Sequence, residues 1–454
     1  MVKTVIVGSG AAGMEAANTL YNAGETDFLV LEKLDYIGGR IHTYRKDGYC
    51  IDAAAQLVHP GYKMARKVIG ELGHSDDLLR SNMLGLRMYD ETQKKRVFIK
   101  PDPERPPQEN AATMQWIGAM GPDNVKAFMD WARERCADGK MYEGEVTWGL
   151  DVDNVVFADY VEEHFGKEVL ERFAQPIISS VSLTYPERMS TLYGLQILWT
   201  VLVGDVDLMR DGLDVIIQKM LEKFGDKCRT NAEVTEIMIK DGKTTGVKLK
   251  DGEVIECENV ICAAEAPNAL KMLPDAPEVM KTALANIKYS QVFTVLIFTP
   301  EPEIDLMKFG TGTMFNRRAN KPFATVSMRL GSKVPFMVPP GKMNTSMFLF
   351  DEVADELWDK SDQEVMDYIE KELRGVFDWY PEIEGFYIER FPYGNWRMSP
   401  GAATRMNDFR LNHYQDVPGL YLAGDYLFTS SYESALYTGE RVANTLMQGK
   451  TQLV

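Results

Sequence analysis

Thr4-Val5-Ile6-Val7-Gly8-Ser9-Gly10-Ala11-Ala12-Gly13-Met14-Glu15-Ala16-Ala17 is the stretch that decides the fold. A short apolar run makes a strand, glycines at the spacing GxGxxG make a turn, and an alanine-rich stretch reaching Leu20 starts a helix. Gly8 allows the tight turn out of the strand, Gly10 lets a pyrophosphate approach bare backbone, and Gly13 lets helix and strand pack closely. The free N–H groups where the helix starts, around Ala12, aim their partial positive charge at the phosphates. A second apolar run, Phe28-Leu29-Val30-Leu31, ends in Glu32-Lys33. Glu32 stands about 20 residues beyond the glycine turn, where a carboxylate accepts hydrogen bonds from an adenosine ribose.

Working outward, Ile37-Gly38-Gly39-Arg40 follows Glu32, and Ile51-Asp52-Ala53-Ala54-Ala55-Gln56-Leu57-Val58-His59 comes next. Near the other end, Leu420-Tyr421-Leu422-Ala423-Gly424-Asp425 is a strand running into a turn. The helix of Ser431-Tyr432-Glu433-Ser434-Ala435-Leu436-Tyr437-Thr438-Gly439-Glu440-Arg441 comes after it. Taken together, these segments resemble the flavoprotein amine oxidase superfamily, which includes amine oxidases, protoporphyrinogen oxidases and phytoene desaturases.

The resemblance implies an α/β protein with a Rossmann-like (GR2-type) FAD-binding domain, discontinuous in sequence, and an inserted α+β substrate-binding domain. It places FAD, bound without a covalent link, against Gly8, Gly10, Ala12, Gly13, Glu32, Lys33, Gly39, Arg40, Gln56, Val234, Gly424, Asp425, Ser434 and Ala435. In this reading Arg40 is a counter-charge to the pyrophosphate and Asp425 bonds the ribityl or pyrophosphate region. The helix start at Ser434-Ala435 faces the flavin pyrimidine, and Val234 meets adenine through its backbone. Gly439 allows close packing. The family usually has glycine where Ala53 stands, and often at Ser434.

The cofactor domain is expected to comprise 1–85, 205–285 and 390–454, and the substrate domain 86–204 and 286–389. In the insert 86–204, helices are expected over 122–136 and 157–172 after a loop at Pro101–Pro107, and in the piece 205–285 a helix over 213–224. Strands are expected at 231–237, 243–249, 254–255, 259–264, 291–298, 324–329, 345–350 and 386–391, with a helix over 361–376 capped by Ser361. Residues 179–190 resemble a stretch near the substrate cavity of protoporphyrinogen oxidase-like and desaturase-like members.

Composition bounds the function. A chain of 454 residues is too long for one core. A net charge of −17 argues against nucleic acid and against docking on anionic lipid. No run of 18 apolar residues suggests a transmembrane helix, and the start lacks the pattern of a secretory leader, so the expectation is a cytoplasmic protein. Five cysteines without CxxC spacing fit reduced thiols, and the five histidines show no metal pattern.

The resemblance implies hydride transfer from an organic small molecule to the flavin, which needs no acid–base dyad, and an electron acceptor that it leaves open. Assembly with copies of the same chain is compatible with the composition. Many amine oxidases of the family carry a lysine at the start of the strand corresponding to 292–298. Here that position falls near Phe293, and the nearest cation is Lys288. The missing lysine and the 179–190 stretch favour a desaturase-like or protoporphyrinogen-oxidase-like reaction on a C–C or C–N bond of a fairly apolar substrate. An amine oxidase and a redox-neutral double-bond isomerase are the alternatives. No catalytic residue is assigned; the candidate pocket walls are Phe293, Tyr393, Trp396 and Tyr432, each equally able to be plain core.

Overall fold

The computed structural model describes residues 2–80, 86–100, 102–137, 141–142, 145–202, 206–304 and 312–453. Met1, Pro101, Val454 and the borders drawn at 85 and at 204/205 lie outside them. Strand Val2–Val7 is central to the first sheet, parallel to Phe28–Leu31 on one side and Val254–Cys262 on the other. Leu420–Leu422 adds beside Val254–Cys262, and Cys228–Arg229 beside Phe28–Leu31, both parallel. Val5, Ile6, Val30, Val260 and Ile261 are fully buried, as parallel strands covered on both faces require.

The strands expected at 254–255 and 259–264 form one strand, Val254–Cys262. Its first half pairs antiparallel with Lys243–Leu249, which pairs in turn with Val234–Lys240. Helix Ala11–Asn22 packs on helix Tyr432–Gln448, so the two ends of the chain meet. A Cβ on Gly439 would lie 2.4 Å from the Ala12 carbonyl oxygen, which is why a glycine stands there.

The second sheet runs Gly385–Trp396, Tyr289–Pro300, Lys342–Phe350, Thr325–Leu330, Gly312–Phe315, Leu86–Asp90 and Lys95–Phe98. One face packs Phe293, Val295, Ile297, Val326 and Met328 against Val365, Ile369 and Leu373 of helix Asp362–Arg374. Ser361 caps that helix with a reciprocal capping box to Glu364. The other face meets the segment around Ile51–Gln56, where Thr294 Oγ1 donates to the Ala53 carbonyl. Strand Gly385–Trp396 crosses the border drawn at 389/390.

Helices Pro107–Met120, Pro122–Cys136, Phe157–Phe165, Gln175–Ser182 and Thr191–Leu202 form the remainder of the middle region. The helix expected over 157–172 breaks at Gly166, whose φ is +91°. It resumes at Lys167–Val169 and passes through a π-helical stretch, Leu170–Ala174. Among the described residues no helix is long and apolar enough to cross a membrane.

Candidate functional site

The glycine turn closes on two sides and opens on the third. Gly8 has φ +98° and a Cβ there would lie 3.0 Å from the Ala263 carbonyl oxygen; a Cβ on Gly13 would lie 2.0 Å from the Gly8 oxygen. A Cβ on Gly10 would meet nothing within 4 Å. Helix Ala11–Asn22 has no side-chain cap, and its first backbone bond runs from Met14 N–H to the Gly10 carbonyl at 2.9 Å. The N–H groups before Met14 therefore have no partner within the helix. Bare space over Gly10 and an uncapped helix start fit a pyrophosphate. Gly39, at φ +57°, touches the same turn, its ideal Cβ 3.2 Å from Gly10 Cα.

Glu32 is buried at the end of its strand. One carboxylate oxygen accepts from Ser9 N–H at 2.9 Å and Ser9 Oγ at 2.7 Å, the other from Leu34 N–H at 2.9 Å. The glycine turn thus fixes the Glu32 carboxylate, while Lys33 beside it is exposed. Val234 is buried in the core, and Ala232 N–H just before it donates to the Glu32 carbonyl at 2.7 Å, which docks that strand beside the same edge.

Arg40 joins the two ends of the chain. Its guanidinium donates to the Gly394 carbonyl at 2.9 Å and to Asp425 Oδ1 at 3.4 Å. Burial opposes its charge, yet Asp425, Tyr289 and Glu265 together raise its pKa. Asp425 follows Gly424; burial pushes its carboxyl pKa up against the pull of Arg40. Glu265 ends below the ordinary carboxylate range, because Arg40 and Lys33 outweigh its burial. The hydroxyl of Tyr289, in the same group, is buried, which raises its pKa well above the ordinary tyrosine value. Sequence reasoning missed Glu265 and Tyr289. Glu265 follows directly on the return strand Val254–Cys262 and its Ala263-Ala264 turn, a position that gave the only available signal.

Ser434 and Ala435 are buried in the first turn of helix Tyr432–Gln448. Ser431 caps that helix by accepting from Ser434 N–H at 3.1 Å, and Ser434 Oγ accepts from Thr429 N–H at 3.2 Å. Glu433 reaches the other way. It is fully buried, and its two oxygens accept from Met64 N–H and Ala65 N–H, both at 2.7 Å, and from Tyr142 Oη at 2.9 Å. It therefore caps helix Lys63–Glu71 from a distant part of the chain.

The four candidate pocket walls do not converge. Phe293 points away from Ala53, into the helix-facing core, with its ring 5.3 Å from Trp358. Its neighbour Thr294 faces Ala53, to whose carbonyl its hydroxyl donates. Trp396 is fully buried, its indole N–H without a partner among the described residues. Tyr393 lines an open cleft with Lys288, Tyr289 and Arg397, and Tyr432 packs edge-on to Tyr62 at 5.2 Å. Gln56 donates to the Asp52 carbonyl at 2.9 Å and accepts from Arg329 at 2.9 Å. The 179–190 stretch is tied down by fully buried Asp351, which accepts from Thr184 Oγ1, Tyr185 N–H, Ser290 Oγ, Arg188 and Arg397.

Of the two histidines in these segments, His42 pairs with Glu389, whose hydrogen bond raises its pKa. His59 is buried against the Thr200 carbonyl, and burial lowers its pKa. No group of three metal-ligating side chains gathers among the described residues.

The family model for flavin-containing amine oxidoreductases matches residues 11–447. The chain is 22% identical over 98% of its length, and 96% of the relative's, to coproporphyrinogen III oxidase of Bacillus subtilis. It is also 22% identical to the chloroplastic/chromoplastic 15-cis-phytoene desaturase of Arabidopsis thaliana, over 98% of this chain and 80% of that one. Cyclohexylamine oxidase of Brevibacterium oxydans superposes with a TM-score of 0.74 over 99% of both chains, at 16% identity, a likeness of fold alone.

Proposed function

The chain belongs to the flavin-containing amine oxidoreductases and is an FAD-dependent enzyme, and from that premise we propose that it oxidises a C–C or C–N bond of a fairly apolar organic substrate in a desaturase-like or protoporphyrinogen-oxidase-like reaction. FAD, when bound, supplies hydride acceptance. Gly8, Gly10, Ala12, Gly13 and Gly39 hold its pyrophosphate with backbone, and Arg40 balances the charge. Glu32 takes the ribose hydroxyls and Asp425 the ribityl side, with Lys33, Gln56, Val234, Gly424, Ser434 and Ala435 completing the contact. We assign residues 1–85, 205–285 and 390–454 to the cofactor and 86–204 and 286–389 to the substrate.

One observation carries the choice of reaction. The residue of strand Tyr289–Pro300 that meets Ala53 is Thr294, flanked on that face by Val292 and Leu296, and none of these is a cation. That face supports an apolar substrate and gives no amine-oxidase lysine.

The test is anaerobic mixing of the holoenzyme with a porphyrinogen, a polyene and an amine, following the flavin band. Bleaching by the first two and not by the amine is expected. Bleaching by the amine alone would overturn the reading. Product formed without reduced flavin or any acceptor would move the enzyme to the isomerases.

A further inference from the structure

The cofactor-side face of the second sheet holds a half-buried cation that the phosphate cradle does not use. Strand Thr325–Leu330 alternates strictly. Val326, Met328 and Leu330 are buried against the helices; Thr325, Ser327 and Arg329 are half-buried on the opposite face. Arg329 sits across from Asn344, and Ser327 across from Ser346. Its guanidinium donates to Ser346 Oγ at 2.7 Å, Gln56 Oε1 at 2.9 Å and Asn344 Oδ1 at 3.4 Å.

All three acceptors are neutral, and among the described residues Arg329 makes no ion pair. Burial lowers its pKa, and the attraction of Asp52 only partly offsets this. Asp52 uses one oxygen for Thr43 Oγ1 at 2.7 Å and Leu213 N–H at 2.8 Å, and its other, buried oxygen makes no hydrogen bond among the described residues; it attracts Arg329 through space without bonding to it. A partly buried guanidinium with no carboxylate bonded to it is costly, and three bonds leave two of its five donors free. Gln56 places this cation three residues from Ala53, on the face where Thr294 meets the cofactor-side segment.

We propose that Arg329, steadied by Gln56, Ser346 and Asn344, anchors a carboxylate of the substrate, which makes the substrate an apolar molecule carrying an acid group. A planar fork of N–H donors matches a carboxylate in two-point contact, and the ligand would supply the missing charge. The same cation disfavours a protonated amine. The inference deepens the proposed function and rests on it for the placement of the substrate at this face.

The experiment is calorimetric titration of the holoenzyme with coproporphyrin III and decanoate against their neutral counterparts, the tetramethyl ester and decanamide. Wild type should bind the acids at least tenfold more tightly than the neutral forms. Arg329→Met should abolish that preference while leaving the neutral forms unchanged, and Arg329→Lys should restore part of it. No preference in wild type, including no binding of either form, or an unaltered preference in both variants, would overturn the anchor. If Arg329→Met loses its flavin, the wild-type comparison and Arg329→Lys decide. Because binding is read without turnover, failure of the redox reading shows separately, as a flavin that no member of the substrate panel bleaches.

Discussion

At the residue scale, two small groups near the glycine turn have opposite physics. Gly13 has no room: a methyl group there would sit 2.0 Å from a carbonyl oxygen of the turn itself. Gly13→Ala should push helix and strand apart, costing about 1–3 kcal/mol. The flavin-to-protein ratio of the purified variant should fall well below wild type; a ratio equal to wild type would remove the packing argument.

Glu15, on the next turn of the same helix, is a buried carboxyl. Burial raises its pKa from 4.5 to about 8, although Asn18 and Thr19 donate to it at 3.1 Å. A folded pKa above the unfolded one means that the folded state binds the extra proton. This contribution is therefore greatest below pH 4.5 and is lost as pH rises to about 8, at about 1.4 kcal/mol per pH unit. Glu15→Gln keeps the acceptor and cannot ionise. Its melting temperature should decline less than wild type between pH 5 and 8, and parallel curves would show that Glu15 does not titrate in that range.

At the element scale, helix Lys63–Glu71 has no cap of its own, and its amphipathic sequence gives no hint that its start is buried. Glu433 supplies the cap from helix Tyr432–Gln448. Glu433→Ala would leave two backbone N–H groups buried and unsatisfied, at about 1–3 kcal/mol each. Hydrogen exchange should accelerate selectively at Met64 and Ala65; unchanged protection there would mean that the cap is dispensable. The strands were easier to read than this contact. Short apolar runs and Ser361 located Tyr289–Pro300, Lys342–Phe350 and helix Asp362–Arg374 to within a few residues. Gly166 is the exception, because a glycine inside an apolar helical pattern declares a break only through its φ.

At the scale of the whole molecule, the cofactor site we propose needs the first and last segments of the chain to touch, as helices Ala11–Asn22 and Tyr432–Gln448 do. Gly439 against Ala12 sets how closely their helices approach. Gly439→Val should separate them and raise the dissociation constant for FAD at least tenfold, with helix content by circular dichroism unchanged. Unaltered affinity would mean that the two ends reach the cofactor independently.

The sequence by itself determined the glycine turn, Glu32, Arg40, Asp425 and the family, because each depends on residue types at fixed local spacing that only one backbone path satisfies. The tertiary structure alone decided that Thr294 and not Phe293 faces Ala53, since a pleated strand reverses its faces with every residue and only the packing of both faces sets which residue points where. It alone also brought Glu265 and Tyr289 to Arg40 and Arg329 to Gln56. Those partners lie in segments far apart in the chain, and no local pattern records which of them will meet.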